Sequence, residues 1–215
     1  MPATNKEPMM TKSRSPFRSS APAIALALAA VAAPGIASAH PEIFHTRGLA
    51  AGFSHPFTGL DHVLAMVAVG VFAARLGGRA IWLVPVSFLA MMAVGGGLGM
   101  AGVSLPFVEI GIAASVIVLG ALVATRTRLP TLAALGLVGI FAVFHGYAHG
   151  AEMPADAGGL RYAAGFIAAT GTLHALGVAA GLGLARFGGG VGLRATQIGG
   201  TAMAAAGVGL LFGCF

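Results

Sequence analysis

Residues 54–75 read SHPFTGLDHVLAMVAVGVFAAR, two imidazoles and a carboxylate at the mouth of a long apolar run that closes on an arginine. Ionisable groups are costly in hydrocarbon, so their place at the head of such a run marks a membrane helix that handles something polar. Pro56 suits the first helical position, where its missing N–H is no loss. A helix that starts there has His55 as its N-cap and His62 about two turns below on the same face, flanked by Asp61. A carboxylate beside two histidines near a helix N-terminus can bind a divalent cation, or can fix the tautomer of a ligating imidazole.

Composition agrees with a membrane setting. The chain of 215 residues is 57% hydrophobic and only 8% charged, with 34 glycines and a mean hydropathy of +0.91. This reads as one all-α integral membrane domain. The net charge of +6 does not indicate nucleic acid, because Lys6, Lys12, Arg14 and Arg18 all precede the first apolar run. Without residues 1–39 the chain keeps eight basic and five acidic groups, a net of +3. Cys214 is the single cysteine, so neither an intrachain disulfide nor a cysteine-based metal site can form.

Upstream, a basic segment is followed by the alanine-rich run Ala21 to Ala37, and Ala37-Ser38-Ala39 fits a small-residue cleavage site. Residues 1–39 are expected to be a secretory signal peptide, leaving 40–215 as a single transmembrane domain. Cleavage would make His40 the new N-terminus, and its amine and imidazole, with Glu42 and His45 behind, form a candidate metal-capturing arm. Downstream, six hydrophobic segments are expected at about 56–75, 80–101, 105–125, 131–150, 160–185 and 193–213. Arg75 and Arg79, Arg126 and Arg128, and Arg186 and Arg194 fall in alternate loops. The positive-inside rule then puts those loops in the cytoplasm and both mature termini in the periplasm. No strand periodicity, repeat or second domain is visible, and glycines such as Gly95, Gly99, Gly177 and Gly181 are expected to let helices approach closely.

A second polar stretch, residues 144–152, reads FHGYAHGAE and places His145, His149 and Glu152 on one helical stripe. With the expected topology, it lies at the same outer end as His55, Asp61 and His62. Glu109 enters early in the third segment, again near that surface. His174, with Thr170 one turn above, lies fourteen residues into the fifth segment, or roughly 20 Å deep. Together, HPFTGLDH and FHGYAHG resemble the HupE/UreJ family of membrane proteins associated with nickel supply to hydrogenase and urease, and in some members with cobalt. The six-segment layout fits that family over essentially the whole mature chain.

The residue types alone favour a borderline cation such as nickel, cobalt or zinc over calcium or magnesium. The resemblance implies nickel. The expected function is therefore an inner-membrane permease for a divalent transition metal, with no catalytic residue and no resident cofactor. Its partners are the transported Ni2+ or Co2+, the lipid bilayer and, functionally, nickel enzymes; nucleic acid is not among them, and a homo-oligomer is left open. Metal ligands are expected at His55, Asp61, His62, His145, His149 and Glu109, with Glu152, His174, His40 and His45 as further candidates. Capture should weaken as pH falls through the histidine range, since a protonated imidazole has no lone pair to give. Two alternatives use the same residues: an intramembrane zinc-dependent hydrolase, and an accessory protein that hands over metal without moving it.

Overall fold

Gly77 and Gly78 both adopt positive φ, 73° and 53°, and end the first long helix in a conformation that side chains resist. Such breaks divide the apolar runs into helices. A computed structural model describes residues 48–153, 158–187 and 189–214. The expected signal peptide at 1–39, and with it His40 and His45, lies outside the described residues. The described residues all belong to one compact unit. Its described part contains seven α-helices and no strand: α1 (Leu49–Ser54), α2 (Leu60–Leu76), α3 (Ala80–Met100), α4 (Val108–Thr125), α5 (Thr131–Ala151), α6 (Gly159–Arg186) and α7 (Gly189–Leu211). His55–Phe57 form a single 3₁₀ turn between α1 and α2.

Four of these helices, α3 to α6, are each long and apolar enough to cross a bilayer. The first expected segment departs from that pattern. Residues Leu49–Phe57 and Leu60–Leu76 together reach spanning length, but they meet at a bend of 83°. The last also differs: α7 has 23 residues, yet Arg194, Gln197 and its glycines keep it less apolar than the other four.

Helix directions follow from which residues meet. Along α3 and α5, Ser87 reaches Leu135 and Gly95 lies against Val143, so the two run parallel. A Cβ at Gly95 would overlap the carbonyl of Val143, and one at Gly146 the carbonyl of Met92. Small residues therefore set this spacing. In α2 and α6, His62 faces Thr170 and Met66 faces His174, again a parallel pair. By contrast, α4 and α7 are antiparallel, with Ile117 beside Gly207 and Ala124 beside Gly200.

Ten of the seventeen residues of α2 are buried, and this helix touches each of α3 to α7. A helix apolar on every side belongs at the centre of a bundle. The outer helices instead expose apolar side chains, among them Trp82, Val86, Leu132 and Ile140, as lipid-facing surfaces do. At one end of the bundle lie the N-termini of α2, α4 and α6 with Asp61, Glu109, Arg161 in the first turn of α6 and, near the end of α5, Glu152. At the opposite end lie Arg75, Arg79, Arg126, Arg128, Arg186 and Arg194. There Arg75 Nη1 donates to the carbonyl oxygens of Leu122, at 3.1 Å, and Val123, closing the last turn of α4.

Candidate metal centre

The acidic end of the bundle begins with the break in HPFTGLDH. Pro56 falls inside the 3₁₀ turn, and Thr58 bonds the carbonyl of His55 twice, through its hydroxyl at 2.7 Å and its N–H at 3.0 Å. Gly59 is extended, at φ −97° and ψ 118°, and serves as N-cap of a new helix starting at Leu60. His55 and His62 are consequently not two turns apart on one helix, as a continuous segment from Pro56 would have placed them. The bend folds His55 over the top of the bundle. It is seated there by α1, where a Cβ at Gly52 would overlap the carbonyl of Tyr162 on α6.

His55 thereby reaches His149 across the bundle, with ring centroids 5.1 Å apart. His149 is in turn 5.2 Å from His62, and His62 is 5.4 Å from His145. The structure thus brings four expected imidazoles into one contiguous group from three separate elements. Glu152, the C-cap of α5, completes its outer part. One ligand atom from each of His55, His149 and Glu152 lies within 4.8 Å of the other two. Atoms sharing a transition-metal ion at about 2.0–2.2 Å lie no more than about 4.4 Å apart. At tetrahedral angles the separation is about 3.5 Å, so each pair would have to draw together by up to about 1.3 Å to close on an ion.

The inner histidines are held by hydroxyls. Ser115 Oγ donates to the carbonyl of Ile112 at 2.6 Å and lies 2.8 Å from His145 Nε2. The contact ties the His145 ring to α4, with Ser115 able to donate or accept according to the imidazole tautomer. His62 Nε2 lies 3.2 Å from Thr170 Oγ1. His62 and His145 are each 1% exposed, and the buried Nδ1 atoms of His62 and His149 have no hydrogen-bond partner. Native interiors rarely leave such atoms unmatched, because each costs about 1–3 kcal/mol.

Asp61 and Glu109 take a different place. Both line a cavity of about 210 Å3 with Ile110, Leu210 and Leu211, between α2, α4 and α7. Asp61 Oδ1 accepts the backbone N–H of His62 at 2.7 Å. It steadies the first turn of α2, whereas the sequence alone suggests a carboxylate flanking an imidazole. His174 lies deeper, bonded to the carbonyl of Met66. That contact is to the backbone of Met66 and not to its thioether. A further cavity of about 170 Å3 borders His149 between α3, α5 and α6, with Met92, Met100 and Met153 on its wall.

Residues 27–210 match the family model described as HupE / UreJ protein. The chain belongs to the HupE/UreJ family. Among curated relatives, Protein HupE of Rhizobium leguminosarum bv. viciae is 50% identical over 190 residues, which cover 88% of this chain and 97% of that protein. No solved structure matches the chain. The HupE/UreJ match contains both histidine-bearing stretches and every element that shapes the centre.

Three side chains of this HupE/UreJ centre carry no signal in the sequence. Phe166 packs on His149 at 4.4 Å, His62 at 5.1 Å and His55 at 6.1 Å between ring centroids. Phe88 touches His145 from below at 5.8 Å, and Ser115 orients it. Phenylalanine and serine recur throughout apolar helices, so only the fold distinguishes these from neighbours that face lipid.

Proposed function

We propose that this protein is an inner-membrane permease that takes up a divalent transition metal from the periplasm, nickel first and cobalt second, by a non-enzymatic route. The observation that carries the reading is the convergence of His55, His149 and Glu152 within 4.8 Å, directly above the buried pair His62 and His145. Imidazole nitrogen with carboxylate oxygen is a donor set for borderline cations. Nickel is preferred among these because HupE/UreJ proteins are associated with nickel supply to hydrogenase and urease. Six of the seven described arginines lie at the opposite end, with Arg161 alone beside the carboxylates, and this excess supports an orientation with the histidine end outside. In this reading the outer group replaces part of the hydration shell, and His62 and His145 receive the ion as it enters the bundle. Asp61 and Glu109, in their own acidic cavity at the same end, are assigned to attracting cations and not to the shared ligand set.

Uptake of radioactive nickel and cobalt by proteoliposomes tests the proposal. Wild type should accumulate metal, and His62→Ala and His149→Ala should each lose at least ten-fold in initial rate. Stoichiometric binding without flux in wild type would favour the metal-delivery alternative. Turnover of lipid or amide substrates by a tightly held zinc would favour the hydrolase.

A further inference from the structure

His174 is an imidazole that the outer group does not use. It sits on α6, is 2% exposed, and has its Nδ1 3.0 Å from the carbonyl oxygen of Met66 on α2. A carbonyl only accepts, so Nδ1 is the donor and the neutral ring carries its lone pair on Nε2. That Nε2 is buried and has no hydrogen-bond partner. A tie between α6 and α2 needs one donor and would leave no second polar atom to satisfy. The unmatched lone pair is the part of His174 that packing does not explain.

Its position is regular. His62 with Thr170 and Met66 with His174 are successive rungs between the same two parallel helices, one turn apart. Each rung exposes one unpartnered buried nitrogen to the interior, His62 Nδ1 above and His174 Nε2 below. Phe88 of α3 stands between the levels. It is fully buried, with its ring 5.8 Å from His145 and 5.1 Å from His174, at 76° to the latter.

We propose that His174 Nε2 is an inner ligand for the same divalent cation, and that Phe88 is the partition between the outer histidines and this inner station. The inference rests on the metal-handling reading above and extends it to a second stop. With Phe88 in place its ring fills the space beside His174, and the inner station is closed. Displacement of the ring lets the cation exchange imidazole ligands inward.

Cobalt binding to the purified full chain, followed by its visible absorption and by equilibrium dialysis, tests this without relying on transport. Wild type should hold one equivalent, Phe88→Ala two, and Phe88→Ala/His174→Gln one. Retention of the outer equivalent in the double variant reports that the chain is folded, and His174→Asn replaces His174→Gln if it is not retained. In vesicles, His174→Gln alone should lower the initial uptake rate at least ten-fold with outer binding within two-fold of wild type. A single equivalent in Phe88→Ala, or a second equivalent that survives loss of His174, would overturn the proposal. Wild-type uptake by His174→Gln would do the same. Absence of cobalt from wild type would instead count against the outer centre, and a His174-dependent equivalent in Phe88→Ala would still support the inner one.

Discussion

Ser115 shows how much a small hydroxyl decides. Its Oγ lies 2.8 Å from His145 Nε2 and holds that ring in place from α4. Ser115→Ala removes the hydrogen-bond partner of His145 Nε2 and frees the ring to turn. Loss of a residue that orients a ligand typically weakens metal binding about 10–100-fold. Titration calorimetry with nickel should show a loss in that range for Ser115→Ala and little change for Ser115→Thr, which keeps the oxygen. His149→Ala should cost more than Ser115→Ala, since His149 stands in both the outer group and the contact with His62.

The break between α1 and α2 shapes the candidate centre as much as any of the proposed ligands does. Thr58 and Gly59 hold it, one by closing on His55 and the other by its extended backbone. Thr58→Ala/Gly59→Ala favours a continuous helix and should pull His55 off His149. Nickel affinity is expected to fall several-fold or more, while thermal stability changes little beside that of Gly146→Leu. The latter drives a side chain into the Met92 carbonyl, and overpacking of this kind typically costs about 1–3 kcal/mol. A thermal melt in detergent separates the two. The stripe of His145 and His149 was legible in the sequence because helical period alone determines it. The bend was not, because Pro56 is equally at home at the start of a straight helix. What decides between them is docking of α1 on α6 through Gly52 and Gly165, a contact over a hundred residues away in the chain. The separate cavity of Asp61 and Glu109 was hidden for the same reason: α7 forms one of its walls.

The whole bundle is polarised, with six of the seven described arginines at one end and the histidines, the carboxylates and Arg161 toward the other. Cys214, exposed beyond the end of α7, shares the histidine end, since Leu210 and Leu211 line the cavity of Asp61 and Glu109. A membrane-impermeant maleimide should therefore label native Cys214 in intact spheroplasts. Labelling only after permeabilisation would invert the orientation and place the histidines on the cytoplasmic side. Whichever way the bundle faces, metal handling of the proposed kind requires side chains from separate elements to hold one cation together. X-ray absorption at the nickel edge of the purified, nickel-loaded chain examines that most directly. Expected is a nitrogen and oxygen shell with imidazole scattering that weakens in both His55→Ala and His149→Ala. A stoichiometric nickel spectrum unchanged by both substitutions would contradict it.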